Sequence, residues 1–211
     1  DADINFASGK SQSSDYGIQY SISKNAEKDI QKVLADKFYK KEIKLTDSTP
    51  SIMLGHKGVR NLPLMMVASH VRENILTEAE AIKLGLVTED KHYHGLGETL
   101  FFYFIRDLDN VTEAYRGTKR ADNADRRENY FLLISKHKDA NGDEINVPVY
   151  INEKGKYNKI EIDVNKIATI FGKEQLRNYL SNEIRRGNIV KIKNRSAQQS
   201  REETALIAGY Y

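Results

Sequence analysis

About halfway along this chain the apolar residues change their spacing, and that change limits the fold more than any other feature. Up to about residue 108 they recur every three or four positions, whereas Ile145, Val147, Val149 and Ile151 alternate strictly with other residues. The first spacing gives a helix one buried face, and the second gives a strand one buried face. Helices first and an antiparallel sheet afterwards predict the α+β class, in one domain over residues 24–211. Residues 1–23, rich in Ser, Asp and Gly, read as a linker or loosely held arm.

In the first half, Ile30, Val33, Leu34 and Phe38 predict a helix from Asn25 with those four on its buried face. Ser51 to Leu54 reads as a short strand. A second helix follows Pro63, with Val67, Val71 and Ile75 on one side and His70 within it. Thr77-Glu78-Ala79-Glu80 has the form of a capping box, and Gly85 ends the short helix that it starts. Leu96 to Leu108, with Phe101, Phe102, Tyr103 and Phe104, predicts a buried aromatic helix.

In the second half, Tyr130 to Ile134 and Ile145 to Ile151 form a hairpin around the turn residues Asp139 to Asp143. Pro148 has no N–H to donate, which marks an edge strand or a local irregularity. Asn152 to Gly155 reads as a further turn into Ile160-Glu161-Ile162, and Asp163 as the cap of a short helix carrying Ile167, Ala168 and Phe171. Gly172 breaks that helix, and Leu176, Tyr179, Leu180 and Ile184 mark another that ends at Gly187-Asn188. Ile189 to Lys193 is the last strand, with Val190 and Ile192 toward the core and Lys191 and Lys193 facing away.

Composition removes several classes of function. The chain has no cysteine, so a disulfide framework, an iron–sulfur centre, a thiolate zinc cluster and a Cys nucleophile are excluded together. At 39% hydrophobic and 30% charged it has the balance of a globular chain. Its longest apolar run, Leu100 to Ile105, is far short of the roughly 20 residues of a membrane span, so no membrane partner is expected. No signal-peptide pattern opens it, and a start at Asp1 in place of Met suggests a piece of something longer. The net charge is +3, but Ile184 to Arg201 holds six basic residues and no acidic one, leaving −3 for the rest. Such a patch is the footprint of a phosphate-binding surface, or else a solvated helix end and strand edge.

Two constellations could carry chemistry. His92-Tyr93-His94 places two imidazoles on one side of an extended segment, which suits a metal or general acid–base work near neutral pH. Lys191, Lys193 and Arg195 form an alternating cationic row, able to stabilise a phosphorane-like transition state or to hold an RNA backbone. Tyr150, Tyr157 and Tyr179 are candidate stacking residues, and Arg116 to Arg127 reads as an exposed charged loop. The phosphate-loop patterns G-x-x-x-x-G-K-[ST] and G-x-G-x-x-G are absent, as is G-x-S-x-G.

An ordered series of motifs resembles the C-terminal toxin-type domain of phage MuF-like head proteins and large mobile-element polyproteins. It runs through Asn61-Leu62-Pro63-Leu64-Met65-Met66 with His70-Val71, His94-Gly95-Leu96, Val147-Pro148-Val149-Tyr150-Ile151 and Gly155-Lys156-Tyr157-Asn158. It continues through Ile160-Glu161-Ile162-Asp163-Val164-Asn165 and Ile170-Phe171-Gly172-Lys173 to Gly187-Asn188 and Lys193-Asn194-Arg195-Ser196. That family is regarded as similar to the small RNases that include barnase, EndoU, the tRNA-cleaving colicins and RelE-type toxins. The resemblance implies N-terminal helices on one face of an antiparallel sheet with substrate on the other. It also implies cofactor-free, metal-independent transesterification, in which the RNA 2′-hydroxyl attacks its own phosphate and leaves a 2′,3′-cyclic end. His70, His94, Lys193, Arg195 and Ser196 are then the candidate catalytic residues, with Lys191, Arg185, Arg186, His92 and Tyr150 binding substrate. The implied partners are RNA, tRNA among the candidates, and an immunity protein. Delivery would be by a phage particle or secretion, with action in the target-cell cytoplasm. Two other functions stay open: a non-catalytic module binding nucleic acid or a host protein, and a metal-dependent nuclease using His92 and His94.

Overall fold

The structure, a computed structural model, describes residues 22–118 and 128–193. Among these residues the fold is α+β: five α-helices and a mixed, mostly antiparallel sheet of eight strands. Most of the expected arm lies outside the described residues, but its end is tied down, since Ile22 bridges Thr46 and the Ser23 N–H donates to the Leu45 carbonyl.

The first helix, α1 (Ala26–Ala35), buries Ile30 and Val33 as their spacing requires. Phe38 is 74% exposed, because the helix ends three residues earlier. That end is fixed from outside: Arg72 donates to the carbonyl of Val33 in the last turn and to those of Asp36 and Tyr39 just beyond it. Two short strands follow, β1 (Ile43–Thr46) and β2 (Leu64–Met66). Ser51 to Leu54 is a buried turn and not a strand, and the helix expected from Pro63 onward begins only after β2, as α2 (Ala68–Ile75). The capping box forms as written, with Thr77 and Glu80 exchanging hydrogen bonds at the start of α3 (Glu78–Lys83). Next comes α4 (Gly97–Asp107), which buries Phe101, Phe102, Phe104 and Ile105 and leaves Tyr103 at the surface.

The remaining strands are β3 (Glu113–Gly117), β4 (Tyr130–Lys138), β5 (Glu144–Tyr157), β6 (Ile160–Ile167), β7 (Phe171–Gly172) and β8 (Ile189–Lys191), with α5 (Leu176–Arg185) before the last. Their order across the sheet is β1-β2-β6-β5-β4-β3-β8, and β7 pairs with β5 beyond the end of β6. The expectation of a purely antiparallel sheet is corrected by one pair, since β2 and β6 run parallel.

Three local readings also change. The turn lies at Asn158 and Lys159, whose φ values of 50° and 68° make a two-residue hairpin loop, and not at 152–155. Asn152 (φ 60°) is instead a bulge whose N–H donates to the Asn165 side chain. Asp163 caps no helix: it sits inside β6, paired with Arg60 and Lys154, and Ile167 is a strand residue. Pro148 lies in a central strand, but its carbonyl accepts from Ala168, so its missing N–H points into the gap between β6 and β7. The irregularity is therefore present as expected, and the edge position is not.

Apolar side chains cover both faces of the sheet. On the first, α1, α2 and α4 pack over alternate residues of β3, β4 and β5, among them Ala114, Phe131, Leu133, Val147 and Val149. On the second, Leu176 and Leu180 of α5 cover Tyr115, Leu132, Ile134 and Ile189. The last strand therefore buries Ile189 and Ile192 on opposite faces, while Val190 is half exposed against expectation. In α5 the buried fourth position is Glu183, bonded by the Asn188 amide, and Ile184 is exposed.

Candidate functional site

His94 lies against the C-terminal half of α2, the helix that also carries His70. The segment 94–96 runs along it, with His94 N–H donating to the Glu73 carbonyl (2.7 Å), Gly95 N–H to Leu76 (2.9 Å) and Leu96 N–H to Asn74 (3.0 Å). Gly95 is required there, because at φ 62° a Cβ would also come within 3.0 Å of the Thr77 methyl. Asn74, fully buried, donates to the His70 carbonyl and accepts the Ile170 N–H at 2.6 Å. One buried amide thus joins α2 to the stretch that leads into β7.

His94 stacks on Phe171, with ring centroids 5.3 Å apart and planes 17° from parallel. Burial of the stacked ring lowers the His94 pKa from its ordinary 6.5, the neighbouring His92 adds to this, and the Glu73 and Asp139 carboxylates oppose it. An imidazole lowered in this way is neutral at pH 7 and able to accept a proton. His70 stands one helical turn from Asn74 on the same side of α2. Glu73, Asn74 and Phe171 were not among the sequence candidates. Glu73 and Asn74 follow His70 at helical spacing, which was the available signal, whereas Phe171 is recognisable only from the sheet pairing.

The cationic row is elsewhere. Lys191 pairs with Tyr115 on β3, which puts Lys193 level with Glu113, and Glu113, Ile134, Asn146 and Phe171 then face one another across β3, β4, β5 and β7. Four strand spacings of about 4.8 Å put Phe171 roughly 19 Å from the Lys193 position. The structure therefore does not bring His94 and Lys193 onto one phosphate. Lys191 instead approaches Glu113 (3.9 Å), a carboxylate already held at 2.7 and 2.9 Å by Arg177, which also grips Glu144. Burial would raise the Glu113 pKa, but the hydrogen bonds from Arg177 and Tyr115 carry it below the usual range. The Tyr115 hydroxyl, buried and donating to that carboxylate at 2.6 Å, is pushed up to about 12.

Arg185 and Arg186 are exposed at the end of α5, bonded to Asn182 and Glu183, beside the Gly117 end of β3. Tyr150 packs against Tyr130 (5.4 Å) near that same end of the sheet. Arg195 and Ser196, and most of the loop 116–127, lie outside the described residues. Among the described residues no group of three or more His, Cys, Asp or Glu side chains is placed to hold a metal, so His92 and His94 find no third ligand there. Nor is any described helix long and apolar enough to cross a membrane. No family model matches the chain, and neither a curated protein nor a solved structure matches it.

Proposed function

We propose that this chain is a toxin-type endoribonuclease cutting RNA by metal-independent transesterification, with proton transfer centred on His94. The observation that carries this reading is the His94 imidazole stacked on Phe171, its pKa lowered by desolvation, with His92 beside it in the chain and His70 on the adjoining helix. In the proposed reaction His94 takes the proton of the 2′-hydroxyl as its oxygen attacks the adjacent phosphorus. The bond from phosphorus to the 5′-oxygen breaks, and His70 or His92, as the general acid, delivers a proton to that leaving oxygen. Lys191 and Lys193, four strands away, are assigned to holding the RNA backbone and not to the transition state. Arg195 and Ser196 keep the roles that the family resemblance implies. So does neutralisation by an immunity protein, in a chain delivered by a phage particle or secretion.

Incubation of the purified chain with total RNA tests the proposal. Wild type is expected to leave 2′,3′-cyclic ends, and His94→Ala to lower the rate roughly 100-fold or more. Intact RNA, or equal cleavage by His94→Ala, overturns it. The separation of His94 from the cationic row favours a second reading, a module that binds nucleic acid without cutting it. Expression in cells without a neutralising partner separates the two, since a ribonuclease toxin arrests growth and a binding module does not.

A further inference from the structure

A cleft of about 830 Å³ opens at the far end of β5 from His94, between the chain that joins α1 to β1 and the tip of the β5–β6 hairpin. Its two walls are held in place. The two-residue turn at Asn158 and Lys159 keeps the hairpin tight, and the Lys156 N–H donates to the Glu42 carboxylate at 2.6 Å. The Asn25 amide donates to the Tyr157 hydroxyl at 3.3 Å, and the Lys44 ammonium lies 5.1 Å from the centre of that ring.

The lining is strongly cationic once its internal pairs are set aside. Asp29 is taken by Lys32 (3.0 Å), Glu42 by Lys166 (2.6 Å) and Lys154 by Asp163. Lys40, Lys41, Lys156 and Lys159 remain without a carboxylate partner among the described residues, and Glu161, across the ladder from Lys156, is the opposing charge. Among the described residues the lining has six lysines and no arginine. Ammonium groups act as point charges that bind phosphate oxygens without the fixed geometry of a guanidinium fork, which suits a flexible phosphate backbone. Tyr39 and Tyr157 place an aromatic ring in each wall, and Lys41 lies 6.0 Å from the Tyr39 ring centre. Cations that track a backbone together with rings on which bases stack are how single strands are held without sequence readout.

We infer that this cleft binds a short run of single-stranded RNA, its phosphates against Lys40, Lys41, Lys156 and Lys159 and a base against Tyr39 or Tyr157. From Asn146, beside Phe171, to Tyr157 is roughly 35 Å of strand, so this is a second hold on the nucleic acid and not part of the His94 cluster. The inference concerns binding alone and stands whether or not the chain cuts RNA.

Fluorescence anisotropy with a labelled single-stranded RNA of about a dozen nucleotides tests it, on a His94→Gln background so that cleavage cannot blur the reading. Lys156→Glu with Lys159→Glu is expected to weaken binding roughly tenfold or more, and to reduce the slope of log affinity against log salt by about 0.7 for each phosphate that is no longer neutralised. Lys40→Glu with Lys41→Glu, on the opposite wall, is expected to do the same, which keeps the test valid if one pair disturbs folding. Absence of RNA binding overturns the inference. So does unchanged affinity in both pairs at unchanged melting temperature, or loss of binding only when Lys191 and Lys193 are replaced. Displacement of the RNA by a poly-glutamate peptide at equal charge concentration assigns the cleft to acidic peptides and likewise overturns it.

Discussion

The side-chain oxygen of Asn74 accepts the backbone N–H of Ile170 at 2.6 Å, in a position where Asn74 and Ile170 are both fully buried. Through that hydrogen bond α2 fixes the strand that carries Phe171, and through Phe171 the ring of His94. Asn74→Ala leaves the Ile170 N–H buried without a partner and removes the bond to the His70 carbonyl. We expect a loss of about 2–3 kcal/mol, the range for an orphaned buried donor together with a missing hydrogen bond. Urea denaturation should show a lower midpoint at unchanged slope.

The Phe171 ring is expected to set the titration of His94. Phe171→Ala removes the surface that shields the imidazole, so the His94 pKa should rise toward 6.5, which an NMR titration of its ring proton reads directly. The same shift carries a sign for stability. A histidine lowered in the folded state binds fewer protons there than in the unfolded chain, so stability is complete above pH 6.5 and falls as pH drops toward the lowered folded value. Phe171→Ala should flatten that acid limb even as it lowers stability overall.

What could be read from the chain alone was whatever is decided within a few residues. The Thr77 to Glu80 box and the Asp139 to Asp143 turn are short-range hydrogen-bond patterns, and both form. Leu64-Met65-Met66 is buried on every side, so three residues of strand had the same apolar signature as the helix that follows them. Asp163 looked like a cap because an acid precedes apolar residues there, yet its partners Arg60 and Lys154 come from elsewhere in the fold. Likewise His94 meets Phe171 only because β7 pairs with β5, and the cleft lysines belong to two segments more than a hundred residues apart in the chain. The basic stretch after Ile184 is visible in the charge pattern alone. Folding then splits its described part between the end of α5 and the last strand.

The Glu113 carboxylate should control the ionisation of Tyr115. Glu113→Gln removes the charge that holds the phenolic proton but keeps the burial, so the Tyr115 pKa is expected to fall from about 12 while staying above 10.0. Tyrosinate absorbance against pH measures this. In wild type the folded state keeps its proton after the unfolded chain has lost it, so this group's stabilising contribution is whole below pH 10.0 and is lost as pH rises toward 12. In Glu113→Gln that loss should end at a lower pH.

Gly155 is the point where the β5–β6 hairpin presses closest on its neighbours. A Cβ there would lie 3.0 Å from the Met65 sulfur, 3.0 Å from a Val164 methyl and 3.2 Å from a Glu42 carboxylate oxygen. Met65 and Val164 are fully buried, so neither can turn aside without disturbing the pairing of β2 with β6. Gly155→Ala is therefore expected to destabilise by about 1–3 kcal/mol through overpacking, although alanine is ordinarily the better residue for an extended backbone. Because Glu42 also accepts the Lys156 N–H, the displaced carboxylate should loosen one wall of the lysine cleft. Thermal melting of the variant checks the first effect. RNA anisotropy at a temperature where the variant is fully folded checks the second, with weaker binding expected although no lysine has been changed.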